Sequence, residues 1–164
     1  MARRAAQAAS DRRKRIREAG TSLAAEDVDG EALAMLDRAL ESIASNSPGF
    51  GGAMVFRGPD ALPLVSLIPS REAEGVRRLL INTAVSTRKQ MDHLAGDSIG
   101  SYLDSVTSTA RGAIIAKLFG DDLLVVCLEG PRVSVLDTWK AMSDCTREIS
   151  GACASLFIEP IVLD

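Results

Sequence analysis

The residues of this 164-residue chain best suited to chemistry are few: one histidine, His93, three cysteines, Cys127, Cys145 and Cys153, and the adjacent pair Asp121-Asp122. A catalytic histidine needs a nucleophile or carboxylate beside it, and a zinc ligand needs Cys, Asp or Glu at ligand spacing. His93 falls near the end of a long helical pattern, lacks clustered Cys, Asp or Glu with ligand spacing, and reads as a solvated side chain. Cys127 lies within Leu-Leu-Val-Val-Cys-Leu, where a thiol is a small buried hydrophobe. Cys145 and Cys153 read as one helix, which puts their Cα atoms ~12 Å apart, too far for a disulfide. An odd cysteine count without metal-like spacing fits a reducing, cytoplasmic setting. Asp121-Asp122 follows Gly120 between two apolar runs and reads as a turn rather than a metal pair. Gly-x-x-x-x-Gly-Lys-Ser/Thr does not occur, so the chain has no phosphate loop; Gly96-Asp97-Ser98-Ile99-Gly100 fits Gly-x-Ser-x-Gly but follows a helical pattern, whereas a nucleophile elbow joins a strand to a following helix. The expectation is a protein that is not an enzyme, with no catalytic, cofactor-binding or metal-binding residues.

The elements around these residues must therefore be read for binding. Hydrophobic residues at 46% and charged residues at 25% are ordinary for a globular chain of this length, enough for one core. The longest apolar runs, such as Leu123 to Leu128, fall far short of the ~18–20 residues of a membrane span. Ala5 to Ala9 is too short for the apolar part of a signal peptide, and Asp11-Arg12-Arg13-Lys14-Arg15 follows at once. Charge is unevenly placed: residues 1–18 carry a net +5 and the remainder a net −8. These features predict a basic, partly helical or flexible extension over 1–28, a domain over 29–155, and an apolar tail over 156–164 that packs on the domain.

Within that domain, Leu33, Leu36, Leu40 and Ile43 recur at steps of three and four and predict a helix from Glu31 to Ser45, with Asn46-Ser47-Pro48-Gly49 as its stop. Gly52 to Arg57 reads as a strand apolar on both faces. Leu62 to Ile68 reads as a second, hairpin-linked strand, kept to a sheet edge by Pro63. A long helix over about Arg71 to Ala95 is expected to line one face with Ala73, Val76, Leu80, Thr83, Ala84, Thr87, Met91 and Leu94, with Arg71, Arg78, Asn82 and Lys89 opposite. Ile81 and Val85 lie beside those polar residues, and exposing each would forgo ~1.5–3 kcal/mol of burial. A helix of that kind is packed on two sides, by its own sheet and by a partner. A half-polar strand follows over Tyr102 to Thr109, then two strong strands over Gly112–Phe119 and Leu123–Glu129, joined by Gly120-Asp121-Asp122. A last helix over Ser134 to Ser155 is expected to point Leu136, Trp139, Met142, Ile149 and Cys153 inward. The order α-β-β-α-β-β-β-α predicts a three-layer α/β/α sandwich on a five-stranded, mainly antiparallel sheet.

This pattern resembles the roadblock/dynein light chain family over about residues 31–153. Three stretches carry the likeness: Gly51-Gly52-Ala53-Met54-Val55-Phe56 after the first helix; Pro59-Asp60-Ala61-Leu62-Pro63-Leu64-Val65-Ser66, similar to that family's Asp-Gly-Leu-Pro-Leu-Ala-Ser hairpin; and Arg111 to Leu118 followed by Gly120 to Val126. Ala61 stands where the hairpin usually has glycine. The resemblance implies a homodimer or heterodimer joined through the third strand and the long helix, which points to Ile81, Val85, Tyr102, Asp104 and Val106 as interface residues. It further implies a cytoplasmic scaffold or regulator of a small Ras-like GTPase. Arg71, Arg78, Asn82 and Lys89 on the outward arc of the long helix are the expected partner-binding residues. A second reading is a nucleic-acid or anionic-membrane binder acting through Arg3 to Arg17, whose affinity would fall steeply with salt; the net −8 of the body opposes it. A third is a small-molecule sensor, for which no pocket-defining residues are visible.

Overall fold

The computed structural model describes residues 30–69, 73–95 and 104–156. The predicted extension and most of the predicted tail lie outside those residues, as do Arg71 and Tyr102. Nine elements follow in order: α1 (Gly30–Ser45), β1 (Phe50–Arg57), β2 (Leu62–Leu67), α2 (Ala73–Ala95), β3 (Asp104–Ser108), β4 (Gly112–Phe119), β5 (Asp122–Glu129), α3 (Val135–Asp144) and α4 (Thr146–Ser155). The five strands form one sheet in the order β2-β1-β5-β4-β3, and every pair is antiparallel. This is the expected α/β/α sandwich, with the last helix divided in two.

The strands carry apolar residues on both faces, so the two-residue period of a strand builds two cores. Ala53 and Val55 of β1, Ile115 of β4, and Leu124, Val126 and Leu128 of β5 face α1, α3 and α4. Their alternate neighbours, Met54, Phe56, Ile114, Ala116, Leu123, Val125 and Cys127, face Val76, Leu80 and Ala84 of α2. β2 holds the edge expected from Pro63. Val55 pairs with Val65 and Phe56 with Pro63, so Leu64 is an extra, unpaired residue. That bulge turns the adjacent Leu64 and Val65 into the same core.

The turns show why particular residues stand where they do. Gly120, at φ 60°, and Asp121 form a two-residue hairpin between the paired Phe119 and Asp122. Ala61 adopts φ 50° in the β1–β2 turn, where its N–H donates to the Gly58 carbonyl at 3.1 Å. The left-handed conformation costs an alanine about 1–2 kcal/mol, which explains why glycine is the residue the hairpin pattern usually has there.

The last helix departs from expectation. Its chain bends at Cys145, which caps α3 at φ −89°, ψ 1°. Ser134 opens α3 by accepting the Asp137 amide at 3.3 Å. The inward stripe is Thr138, Ala141, Met142 and Cys145, then Ile149, Ala152 and Cys153. Leu136 and Trp139 do not face the core: they are 75% and 39% exposed. Small residues occupy the stripe because α3 lies against both β4 and α1, and bulk alone was a poor guide to which side faces in.

Candidate protein-protein interface

β3 is the end strand of the sheet and pairs only with β4; among the described residues no strand lies on its other side. Its sequence, Asp-Ser-Val-Thr-Ser, is polar and almost wholly exposed. Pairing with β4 assigns its side chains to faces. Asp104, Val106 and Ser108 stand opposite Lys117, Ile115 and Ala113 on the side covered by α3, while Ser105 and Thr107 stand opposite Ala116 and Ile114 on the side of α2. Val106 is 49% exposed. A free row of backbone donors and acceptors with a half-exposed valine at its centre is a template for another strand.

α2 packs on β1, β5 and β4 and stops short of covering β3. Its orientation follows from two contacts. Val76 lies against Gly52 of β1, where an added Cβ would come within 2.9 Å of it. Arg88, buried on the neighbouring side, donates through Nη2 to the Asp121 carbonyl at the β4–β5 hairpin. The flank beside Arg88, which carries Val85, is thereby turned toward the β4 side of the sheet, and Arg78, Asn82 and Lys89 lie on the arc that faces away from it. Val85 is exposed, as are Arg78, Asn82 and Lys89. Ile81 is not on the outer flank as expected: it is half-buried against the α2-side core, because it sits ~60° nearer the core than the outward pole of the helix at ~100° per residue. Leu79, exposed at 38% on the opposite flank, was not anticipated.

On the other sheet face, Trp139 of α3 is tied to the same edge. Its indole Nε1 donates to Asp104 Oδ2 at 3.1 Å, and Lys117 Nζ lies 4.9 Å from the ring centroid. Lys117 also pairs with Asp104 at 3.9 Å. Of the expected interface residues, Asp104 and Val106 lie on the α3 side of the β3 edge, and Val85 is exposed on α2 over the opposite sheet face. Trp139 lies beside Asp104 and Leu136 is exposed one turn before it on α3, both missed by reading the last helix as a core element throughout.

The residues considered for chemistry are placed as follows. His93 is exposed in the last turn of α2. Asp122 is more than a turn residue: it opens β5, is 2% exposed, and pairs with Arg57 Nε at 3.6 Å. Among the described residues no group of three or more His, Cys, Asp or Glu is placed to hold a metal ion, and no helix is long and apolar enough to cross a membrane. A cleft of about 330 Å³ between α1 and α3 is lined by Ser42, Asn46, Asp137, Lys140, Ala141 and Asp144, with charges of both signs.

The three cysteines are free and buried. Burial pushes the Cys127 thiol up to about 11, helped by Glu129. Burial also pushes Cys153 up to about 12, with Asp122 adding its charge and accepting the thiol's hydrogen bond. Cys145 is raised as well, by burial first. Thiolate is the reactive form, so an alkylating reagent at pH 8 is expected to leave native protein unlabelled and to label all three thiols in denaturant. Labelling of native protein at the unfolded rate would show that the sheet opens readily. The sign for stability follows: the unfolded thiols ionise first, so their contribution is full below pH ~9 and is lost as pH rises toward the folded values.

With this geometry in view, the likeness can be set against known proteins. The sequence matches no family model and no curated protein. Solved structures do match. A Roadblock/LC7 domain from Streptomyces avermitilis superposes with TM-score 0.56 at 12% identity, over 72% of this chain and 97% of that one. The gliding protein MglB from Thermus thermophilus gives 0.58 at 13% identity, over 77% and 94%. Myxococcus xanthus MglB gives 0.60 at 13% identity, over 77% and 97%. The chain has the roadblock fold. Its architecture is that of the Roadblock/LC7 and MglB structures it resembles.

Proposed function

We propose that this chain is a non-enzymatic, dimeric interaction protein that regulates or scaffolds a small Ras-like GTPase. The observation that carries the reading is the open β3 edge with an apolar flank on α2 beside it. Strand pairing would satisfy the edge, and Val85 with its neighbours would be buried in the same step. The roadblock fold supports it, since the resemblance implies dimers joined at the third strand and the long helix. In that dimer the outward arc of α2, with Arg78, Asn82 and Lys89, is the surface left for a GTPase.

The reading is tested at two levels. Sedimentation equilibrium is expected to show a dimer at micromolar concentration, and a monomer at ~100 μM would overturn it. The second level uses a small Ras-like GTPase encoded beside the gene, loaded with GDP or a GTP analogue. Arg78→Glu with Lys89→Glu is expected to weaken its binding, and to flatten the salt dependence, with sedimentation and melting unchanged. Wild-type binding by that variant would move the platform elsewhere.

A further inference from the structure

The dimer reading uses α2 on one sheet face of the β3 edge; on the other face it names only Asp104 and Val106 of the strand itself. On that other face, three apolar side chains stand in solvent around one spot: Val106, Trp139 and Leu136, at 49%, 39% and 75% exposure. Trp139 is not loosely exposed. Its N–H is bound to Asp104 of β3 and its ring carries Lys117 of β4, so both strands nearest the edge fix its orientation. A tryptophan held rigid at a surface loses little entropy when it is covered, and such aromatics carry a large share of interface energy.

We infer that Trp139 and Leu136, with Val106, form the second half of the dimer seam and close on the same residues of a second copy. The inference rests on the dimer reading above and adds Trp139 and Leu136 of α3, which that reading does not contain. Three arguments commit the patch to a second copy. Val106 is the middle residue of the five in β3, so antiparallel pairing of β3 with its copy about a two-fold at that point sets the two valines side by side, with Cβ atoms ~4.5–5.5 Å apart. α3 lies over β4, one strand in from the edge, so the two α3 helices would be separated by three strand spacings, ~14 Å. Packed helices stand ~8–10 Å apart, and the slot that remains is filled by large side chains reaching inward, which Trp139 and Leu136 supply. Finally, a five-residue strand edge is ~17 Å long and buries area on the order of a few hundred Å², short of the ~800 Å² per partner of a stable interface. The edge alone is too small, so side chains flanking it must add area to the seam.

Trp139 is the only tryptophan, so the native chain reports on the patch directly. The experiment follows intrinsic emission and acrylamide quenching across a dilution series, with sedimentation of the same samples. The expected result is a red shift and a rise in quenching with the same midpoint as dissociation. Leu136→Asp, at a position exposed enough to leave the fold intact, is expected to weaken the dimer about tenfold or more. Val85→Asp serves as the comparison on the α2 face. If dimers dissociate while emission and quenching stay flat, and Leu136→Asp associates like wild type, the patch lies outside the seam and the inference fails. A loss of dimer in Val85→Asp would then leave the dimer reading standing. A wild-type monomer at ~100 μM overturns both together.

Discussion

Replacing Gly112 by alanine is expected to unfold much of the sheet. Gly112 opens β4 opposite Glu129 of β5, and a Cβ there would collide with the Leu128 carbonyl oxygen. The next atoms in its path are the Leu128 carbonyl carbon at 2.7 Å and the Glu129 Cα at 3.0 Å. All are backbone, so no rotamer change gives relief, and the two central strands must part at that end. Gly112 also closes the preceding turn, where its N–H donates to Thr109 Oγ1 at 3.0 Å and its carbonyl accepts from the Thr109 amide at 2.9 Å. A loss of ~4 kcal/mol or more is a large fraction of the ~5–15 kcal/mol of a typical domain. Gly75→Ala is the control: nothing lies within 4 Å of its Cβ position, and it should gain up to ~1 kcal/mol of helix propensity. Thermal and urea melts read both. A Gly112→Ala protein that melts within a few degrees of wild type would mean that β4 shifts without cost.

Arg57→Ala is expected to cost ~3–5 kcal/mol. Arg57 ends β1, and its guanidinium donates to the Leu156 carbonyl at 3.0 Å and the Cys153 carbonyl at 2.9 Å, the last turn of α4. The same group pairs with Asp122, whose side chain is 3% exposed. One cation thus holds a helix C-terminus, where the backbone dipole favours positive charge, and compensates a buried carboxylate. Removing it strands Asp122 without its counter-charge and two carbonyls without a donor. Replacing both members, Arg57→Met with Asp122→Leu, should recover a good part of the loss, since burying neither charge avoids the desolvation penalty. Urea melts of the single and double variants measure the coupling. Equal losses in the two would mean that the pair itself contributes little and the helix-end contacts carry the effect.

How far the sequence revealed this depends on where the signal is local. α1 was legible because Leu36, Leu40 and Ile43 repeat at helical spacing and are all fully buried. The edge position of β2 followed from one proline, and β1, β4 and β5 from runs apolar on both faces. The open β3 edge was legible as a polar strand, and Val85 as an apolar residue on the wrong side of a helix. What depends on distant parts of the chain was not. Arg57, Asp122 and Cys153 meet only because β1 and β5 are neighbours and α4 ends above them. Trp139 looked like a core residue by size and hydropathy; only the close approach of α1 and β4 to α3 reveals that Ala141 and Thr138 take that place. Arg88 stands next to the core-facing Thr87, a position that could have marked it as buried, although its carbonyl partner at Asp121 could not be read in advance.

The two margins of the sheet differ in a way that bears on how many copies can join. At β2, the bulged Leu64 twists the outer strand, and Pro63 removes a donor that an added strand would use. At β3 the strand is regular and all five residues are in register with β4. A molecule with two usable margins can add copies head to tail without end and form fibres. One with a single usable margin can pair only like with like, and the act of pairing consumes it. If β3 pairs with its own copy as proposed, the proline and the bulge at the far side leave no second regular margin, and sheet-edge association would stop at two.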